Sequence, residues 1–578
     1  MKRFLKNALL FCLIALILLS AASCGKTNDA TSTTTEGTTL GETTPAETTP
    51  TETTPTETTP EETTPGENPP EDDIHNHVFE NSTTIKAPTC GEDGKESATC
   101  ECGVVKITTL SATGAHNYQN KVCTVCGRKD ATGLSAPLLC GDTLSSYVIV
   151  YDEDASDYTV RAADYIAKEI EARTGIVLSV TPIDASSEVN AHEIVVGETT
   201  RQISQTLNAE TDGFEFALLA DEDHIAIEGD YFIIAAAAYY FVETYIPEAI
   251  FDIDVSQTIS VCDPIVKEAE NFILLIGDGM GPNQTKLFDA YKNETVADYS
   301  DGEDFFYGYL FPYMGESRTD SLSGTTDSAA GGTALASGFK TKNGYVGRNG
   351  NKKDVPLLTE LAAQMGKATA VMSTEKQTGA TPATFSAHAF DRSNTGTITT
   401  TQGKLVEQYG TIIRCDYNVY TEEKMFKMRS AITETLEALS KDEDGFFMMY
   451  EEAHIDKHSH DNDAKDTYLA LVRFNQAIAL FMEYAFYNPE TMVIITADHE
   501  TGGLQMDENG AFQYTSEDHT SQNVPVFAYG AHAEVFDGKT IENVQIPKTI
   551  AAMFGVEIEG TDPENYPSLM PILQLGTK

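Results

Sequence analysis

The chain has 578 residues, of which 41% are hydrophobic and 22% charged, and its formal net charge is −51. This length and composition predict several folded domains, and they exclude both a wholly disordered chain and a membrane protein with many spans. The strong negative charge repels phosphate backbones, so nucleic-acid binding through a basic surface is excluded as well.

The first 24 residues have the pattern of an export signal. Lys2, Arg3 and Lys6 form a basic start, and an apolar stretch over 8–19 leads to small residues and Cys24. The apolar stretch is too short to span a bilayer comfortably, which is typical of a signal peptide. The small residues before Cys24 resemble a bacterial lipoprotein cleavage site, which implies lipidation of that thiol and a membrane anchor at the cell surface. The alternative is an ordinary signal peptide that is cut nearby.

Residues 25–73 are predicted to be a disordered linker rich in Thr, Pro and Glu. The unit Glu-Thr-Thr-Pro occurs five times, the first time at Glu42. Frequent proline excludes a helix, and the scarcity of large apolar side chains excludes a packed core. Proline and like charges extend such a chain, so we expect it to hold the following domains away from the membrane.

Residues 74–130 are predicted to form a small unit held together by cysteines and histidines. The segment is poor in apolar residues, so a metal ion or disulfides must stabilise it. Structural zinc is favoured, and the segment resembles small Cys/His repeats of bacterial surface proteins. Disulfides are the alternative because exported proteins meet oxidising conditions. The candidate zinc ligands are Cys90, Cys100, Cys102, His116, Cys123 and Cys126.

Residues 138–265 are predicted to form a small α/β domain. Short apolar strands alternate with helices, of which the segment 160–173 has alanine and isoleucine at helical spacing. The stretches 193–197 and 225–229 resemble the small domain that precedes several bacterial glycoside hydrolase catalytic domains. The resemblance implies an ancillary module with a cell-surface glycan as partner. The alternative is a packing domain that binds no ligand.

Residues 266–578 contain the candidate chemistry, because four predicted strands each lead to a polar side chain. In a parallel sheet, functional groups collect at the carboxyl ends of the strands, so we expect the four to converge on one rim. A single acid in such a turn would be weak evidence, since Asp is a common helix cap there. The four side chains are Asp278, Thr381 (in a loop), Glu451 and Asp498.

Ser328 is a candidate nucleophile, since it begins a run of small residues that predicts a tightly packed helix. The free amides and the dipole of a helix amino end favour an anion, although Ser is more often a simple cap there. Asp456 and His460 are four residues apart and meet if that turn is helical. Together with Asp498, His499 and His519 they form a mixed oxygen and nitrogen set without cysteine, which suits catalytic zinc.

This combination resembles the alkaline phosphatase family across about residues 268–560. The resemblance implies an α/β/α sandwich around a mostly parallel sheet. It also implies metal-dependent hydrolysis of phosphate monoesters through a phosphoserine intermediate, with inorganic phosphate released at the cell surface. The matching motifs are Leu-Ile-Gly-Asp278-Gly-Met-Gly, Thr-Asp327-Ser328-Ala-Ala, Ala-Thr381-Pro-Ala, Glu451, Ile-Asp456-Lys, His460, Thr-Ala-Asp498-His499-Glu-Thr-Gly-Gly and Glu-Asp-His519-Thr.

The same resemblance implies a role for each matching residue. Ser328 matches the nucleophile, and Arg392 matches the arginine that binds the phosphate, with Asp327 and Lys457 beside it. Two zinc ions and one magnesium ion are implied as cofactors. The zinc ligands are Asp456, His460 and His519 for one ion and Asp278, Asp498 and His499 for the other, and the magnesium ligands are Asp278, Thr381 and Glu451.

Some positions depart from the family pattern. The family usually has Asp or His two residues before the metal-binding Thr, where this chain has Gly379, so the third metal site lacks one side chain. His454 and His458 match no family ligand and are interpreted as outer or surface groups. The segments 340–356 and 391–425 are short, so elaborate dimer-forming insertions are absent and a dimer is left open.

Three other functions compete with this interpretation. A phosphodiesterase or phosphonate hydrolase of the same superfamily more often uses Thr as nucleophile, so Ser328, Thr381 and Glu451 favour monoesters. A sulfatase is disfavoured because its nucleophile motif is missing. A surface adhesin with an inactive phosphatase domain is expected to have lost a ligand or the nucleophile, and apart from Gly379 no such loss occurs.

Overall fold

The computed structural model describes residues 80–88, 94–99, 105–110, 118–119, 122–123, 138–139, 142–207, 213–221, 223–246, 252–253, 260–291, 305–415, 422–558 and 566–572. All of them lie within one compact unit, His75–Lys578. The predicted export signal with Cys24, the linker and most candidate ligands of the Cys/His unit lie outside the described residues. Among those ligands, only the backbone of Cys123 is described, so the predictions for these segments stay predictions.

The described part of the Cys/His unit is built from short antiparallel strands. Glu80–Lys86, Gly94–Thr99 and Val105–Leu110 form a three-stranded sheet in chain order. Tyr118–Gln119 pairs with Val122–Cys123 in a small hairpin.

The described residues of the segment 138–265, called the small domain below, form helices and a six-stranded sheet. The helix Asp157–Thr174 begins where the Ser156 hydroxyl accepts a hydrogen bond from the Thr159 amide, and it ends at Gly175. The other helices are Ile233–Tyr245, Gln202–Thr206 and the 3₁₀ turn Leu144–Ser146. In spatial order the six strands of its sheet are Ser260–Cys262, Phe216–Ala220, His224–Glu228, Glu193–Val196, Val148–Asp152 and Val180–Ile183. A second small sheet contains Asp252–Ile253, Leu138–Leu139 and Asp142–Thr143.

The C-terminal half is organised around an eight-stranded sheet. Seven strands run parallel, and Val524–Tyr529 is antiparallel to both of its neighbours. The central strands are buried on both faces, which explains why they appear in the sequence as continuous apolar runs. In spatial order the strands are Ile412–Arg414, Ala368–Ser373, Phe446–Glu452, Asn271–Gly277, Thr491–Thr496, Val524–Tyr529, Tyr313–Arg318 and Thr540–Glu542.

Helices cover both faces of this sheet, so the predicted α/β/α sandwich is confirmed. One face packs against Glu422–Leu439 and Ala464–Tyr487, and the other against Leu358–Gln364, Gln545–Met553 and the end of Ser328–Ser337. Among the described residues, none of the helices combines the length and the apolarity that crossing a membrane requires. The remaining helices are Leu287–Tyr291, Ala380–Thr384, Thr395–Tyr409, His454–His460 and the 3₁₀ turns Gln284–Lys286, Tyr307–Leu310 and Ala533–Phe536. Two short pairs, Glu500–Thr501 with His519–Thr520 and Gln505–Met506 with Phe512–Gln513, complete the fold.

The small domain and the large sheet share one hydrophobic core. Phe214 of the small domain packs edge-on against Phe486 with ring centroids 5.5 Å apart, and it also contacts Tyr529 at 5.2 Å. Arg161 adds an ion pair with Glu483, with Nε and Oε1 2.8 Å apart. The small domain is therefore packed directly against the long helix Ala464–Tyr487.

Candidate active site

The register of the large sheet brings three acidic positions to one edge. Ile276, two residues before Asp278, pairs with both Glu451 and Thr496 on its two neighbouring strands. The chain reaches Asp498 two residues after Thr496, so all three carboxylates lie at the carboxyl ends of adjacent strands. The prediction that Thr381 lies in a loop was wrong, because Ala380–Thr384 is a short helix.

Asp278, Asp498 and His499 form the first cluster of candidate metal ligands. One donor atom from each lies within 4.8 Å of the others, and all three residues are buried. His499 Nε2 is 3.5 Å from Asp278 Oδ1 and 3.2 Å from Asp498 Oδ2, and neither oxygen has a hydrogen-bond partner among the described residues. Such buried carboxylate oxygens need a cation, so the donor set fits a metal ion.

The pKa shifts within this cluster agree with the need for a cation. Burial, and then the charge of Asp456, raise the pKa of Asp498 to about 7. Burial and the charge of Asp498 raise the pKa of Asp278 well above its usual range. Burial and the neighbouring imidazoles lower the pKa of His499, which keeps that ring neutral, as a metal ligand requires.

Asp456, His460 and His519 form a second cluster. Asp456 Oδ1 is 3.4 Å from His460 Nε2 and 3.5 Å from His519 Nε2, and the two imidazole nitrogens are 3.0 Å apart. The turn that carries Asp456 and His460 is the helix His454–His460, so their spacing of four residues places them on one face. The ring of His499 stacks on that of His519 with centroids 3.6 Å apart, so the two clusters are contiguous.

The hydrogen bonds of the three imidazoles leave one nitrogen of each ring available. Carbonyl oxygens can only accept, so His519 Nδ1 donates to Thr326 O at 2.9 Å and His460 Nδ1 donates to Glu517 O. Thr501 Oγ1 donates to Asp456 Oδ1 at 2.5 Å, so it accepts from His499 Nδ1 at 3.2 Å. In each neutral ring the proton is therefore on Nδ1, and the Nε2 lone pair faces the carboxylates.

Ser328 lies at the first position of its helix, and its hydroxyl is not used as the cap. The capping group is Asp327, whose Oδ1 accepts from the Ala330 amide at 3.0 Å. Ser328 Oγ instead lies 3.2 Å from His499 Nε2. The helix packs closely against Asp498 here. A Cβ on Gly331 would lie 2.7 Å from the Asp498 carbonyl oxygen.

Arg392 and Lys457, the two predicted phosphate-binding cations, form ion pairs with different carboxylates. Arg392 Nη1 donates to Asp327 Oδ2 at 3.3 Å, which holds the guanidinium near the amino end of the Ser328 helix. Its side chain is 41% exposed, so it remains open to a ligand from solvent. Lys457 Nζ donates to Glu375 Oε2 at 3.0 Å.

A third group of oxygen atoms surrounds Glu451. Glu451 and Thr381 are fully buried, and apart from each other's side chain neither Glu451 Oε1 nor Thr381 Oγ1 has a hydrogen-bond partner among the described residues. The other carboxylate oxygen of Glu451 accepts from the Ser373 hydroxyl. Burial, and then the charge of Glu375, raise the pKa of Glu451 to about 8. An all-oxygen set of this kind fits a hard cation such as Mg²⁺.

Comparison with known proteins agrees with this geometry. The Alkaline phosphatase family profile matches residues 269–415 and 414–514. The chain is 28% identical over 334 residues to alkaline phosphatase 3 of Bacillus subtilis (strain 168), which covers 49% of this chain and 71% of the relative. It is also 24% identical over 412 residues to the alkaline phosphatase of Escherichia coli (strain K12). That match covers 50% of this chain and 87% of the relative.

The C-terminal half of the chain is an alkaline phosphatase family domain. The chain is therefore a phosphatase, and so a hydrolase. Among solved structures, the alkaline phosphatase from the Antarctic bacterium TAB5 matches 50% of this chain and 99% of its own, at 26% identity and a TM-score of 0.43. A variant of the TAB5 enzyme has Mg bound in its M3 site.

Sequence reasoning missed two polar residues of this phosphatase domain. Thr501 links the two Asp/His clusters through its hydroxyl, and although it stands inside the matched motif Thr-Ala-Asp498-His499-Glu-Thr-Gly-Gly, no role was predicted for it. Glu375 lies two residues beyond the strand Ala368–Ser373, so the strand-end rule that selected Asp278 applied to it as well. Of the two interpretations of His454, an outer group or a surface group, the surface one is wrong, since the ring is buried and Nδ1 lies 3.2 Å from Thr374 Oγ1.

Proposed function

We propose that the chain hydrolyses phosphate monoesters through a phosphoserine formed on Ser328 and releases inorganic phosphate. The observation that carries this proposal is the position of Ser328 Oγ, which lies at the amino end of a helix and 3.2 Å from His499 Nε2. A hydroxyl used only as a helix cap would bond to a backbone amide, whereas this one faces the Asp/His clusters. Arg392 lies beside the same helix end through Asp327.

The donor sets support two zinc ions and one magnesium ion as cofactors. The proposed zinc ligands are Asp456, His460 and His519 for one ion and Asp278, Asp498 and His499 for the other. The proposed magnesium ligands are Asp278, Thr381 and Glu451. When bound, these ions supply positive charge that lowers the pKa of a hydroxyl or water and offsets the charge of the transferred phosphoryl group.

The chain's own residues account for the remaining steps. Ser328 Oγ attacks the phosphorus, the bond to the ester oxygen breaks, and the alcohol leaves with the proton that Ser328 gave up. Water then attacks the phosphoserine, the bond from phosphorus to Oγ breaks, and phosphate leaves while Ser328 is restored. Arg392 donates N–H groups to the nonbridging oxygens, which a planar guanidinium can do in pairs. Lys457 adds a second positive charge.

We propose further that the enzyme is exported and acts at the cell surface, where a lipid on Cys24 anchors it and the linker extends it outward. The basic start and apolar stretch of residues 1–24 support export. Small phosphate monoesters outside the cell are then the substrates. The resemblance of residues 138–265 to a glycoside hydrolase-associated domain supports a surface glycan as a further partner.

Turnover of p-nitrophenyl phosphate against bis-p-nitrophenyl phosphate tests the reaction, with zinc and magnesium, between about pH 7 and about pH 10. Residues 25–578 are used, so that the small domain stays attached. We expect fast monoester turnover that Ser328→Ala lowers by about 10³-fold or more and that chelation abolishes. Ser337→Ala is the matched control, because Ser337 is a buried serine of the same helix whose hydroxyl bonds to Thr333 O. A preference for the diester, or full activity in Ser328→Ala, would contradict the proposal.

A further inference from the structure

A side chain at position 379 would displace the carboxylate of Glu375, which occupies the space beside Gly379. An ideal Cβ on Gly379 would lie 1.7 Å from Glu375 Oε1 and 2.1 Å from Glu375 Cδ. Real Cβ atoms do not approach other atoms so closely. At the glycine that departs from the family pattern, the space of a side chain is thus taken by an acidic side chain from four residues earlier in the chain.

The backbone of Glu375 is tied to the third group of oxygen atoms. Its amide donates to Ser373 Oγ at 2.9 Å, and the Ser373 hydroxyl donates to Glu451 Oε2. On the other side, Glu375 Oε2 accepts from Lys457 Nζ at 3.0 Å. The Glu375 side chain is only 16% exposed, so it is largely shielded from solvent where it lies beside Gly379.

The surrounding atoms call for a cation. Glu451 and Thr381 are completely buried, and apart from the interaction between these two side chains neither Glu451 Oε1 nor Thr381 Oγ1 has a hydrogen-bond partner among the described residues. Leaving such oxygens without a partner costs free energy that a bound cation offsets. When ionised, Asp278, Glu375 and Glu451 carry three negative charges, of which Lys457 neutralises at most one.

We propose that Glu375 supplies the third metal site with the carboxylate that residue 379 lacks, and that Gly379 is needed to make space for it. This inference rests on the magnesium site of the proposed function. Mg²⁺ takes oxygen ligands and keeps several waters, so a carboxylate from a neighbouring turn can replace a side chain at position 379. Residues 375 and 379 therefore act as a pair, in which only one can carry the acid.

The test measures Mg²⁺ binding by titration calorimetry and metal content by mass spectrometry, on zinc-loaded residues 25–578 without substrate. We expect Glu375→Gln to retain its zinc and to bind Mg²⁺ about 10- to 100-fold more weakly. The matched control is Glu407→Gln, an exposed glutamate on the helix Thr395–Tyr409, which should bind Mg²⁺ as the wild type does. Gly379→Asp alone should lower the melting temperature through its clash, and Glu375→Ala with Gly379→Asp should recover Mg²⁺ binding.

Lys457→Met separates this role from simple charge pairing. If Glu375 faces the metal, removal of the competing ammonium leaves Mg²⁺ affinity unchanged or higher. Unchanged Mg²⁺ affinity in Glu375→Gln, or an equal loss in Lys457→Met, would overturn the proposal. Because no substrate is present, these results are independent of whether the wild type hydrolyses monoesters.

Discussion

Asp327 and Arg392 form an ion pair in which the same carboxylate also caps the Ser328 helix. Oδ2 of Asp327 accepts from Arg392 Nη1 at 3.3 Å and from the Gly344 amide at 2.9 Å. Oδ1 accepts from the Ala330 amide at 3.0 Å. The position of the guanidinium relative to Ser328 is thus fixed by one side chain, and the capping and positioning roles fall on different oxygens.

Asp327→Asn should separate these two roles. The amide oxygen of Asn can still accept from Ala330, but its NH₂ group can accept neither from Arg392 nor from the Gly344 amide. We expect kcat/KM for p-nitrophenyl phosphate to fall by about 10- to 100-fold, since hydrogen bonds to charged groups contribute about 1.5–3 kcal/mol. The melting temperature should fall modestly, through the loss of the Gly344 bond, while the helix cap is kept. Asp463→Asn, at the cap of the helix Ala464–Tyr487, is the control, and an equal loss of activity there would refute the positioning role.

The sequence predicted the strand-end residues because the rule behind them is geometric. Parallel strands in register place their carboxyl ends at one edge, so Asp278, Glu451 and Asp498 follow from the positions of the strands alone. Glu375 also follows a strand end and Thr501 stands in the motif around His499, but what these residues do depends on which atoms lie opposite them across the fold, and no local pattern gives that. The helix predicted over 160–173 is present as Asp157–Thr174, but its ion pair from Arg161 to Glu483, 322 residues later in the chain, was not encoded in any local pattern.

Chelation should make stability depend on pH. Without metal ions, burial raises the pKa of Asp498 to about 7 and that of Glu451 to about 8, whereas both groups ionise near pH 4 in the unfolded chain. Folding then takes up protons, so this contribution to stability is fully present below about pH 4 and is lost as the pH rises through about 7 to 8. Bound cations favour the ionised carboxylates and reverse that trend.

Melting temperatures with EDTA and with zinc plus magnesium, from about pH 5 to about pH 9, check this expectation. The difference in melting temperature between the two series should widen as the pH rises. Residue 451 cannot ionise in Glu451→Gln, so in EDTA the melting temperature of this variant should fall less steeply with rising pH. A constant difference across the range would show that these carboxylates do not bind the metal ions.

Thr501→Val should weaken zinc binding although Thr501 is not itself among the candidate zinc ligands. Its hydroxyl fixes Asp456 Oδ1 and accepts from His499 Nδ1, so both clusters lose an orienting partner. We expect about 10- to 100-fold lower zinc affinity by competition with a chromogenic chelator. Thr496→Val is the matched control, because within the described part of the chain that buried hydroxyl bonds only to the Pro525 carbonyl. Equal affinities in the two variants would assign Thr501 to packing alone.

The small domain should be required for the stability of the phosphatase domain. Phe214 is 6% exposed and lies against Phe486 and Tyr529 of the C-terminal half. Residues 266–578 alone would expose those two rings, so we expect that fragment to aggregate or to melt at a lower temperature than residues 25–578.

Phe214→Ala tests the same contact without removing a domain. Loss of a buried phenylalanine costs about 3–5 kcal/mol, so the variant should unfold at a clearly lower urea concentration. Phe390→Ala is the matched control, since that ring is 52% exposed and lies over the Arg348 guanidinium. If Phe214→Ala removes only a contact between independently stable domains, a second unfolding transition should appear while the first stays in place. A single transition that shifts as a whole would instead show that the two domains unfold together, as their shared core requires.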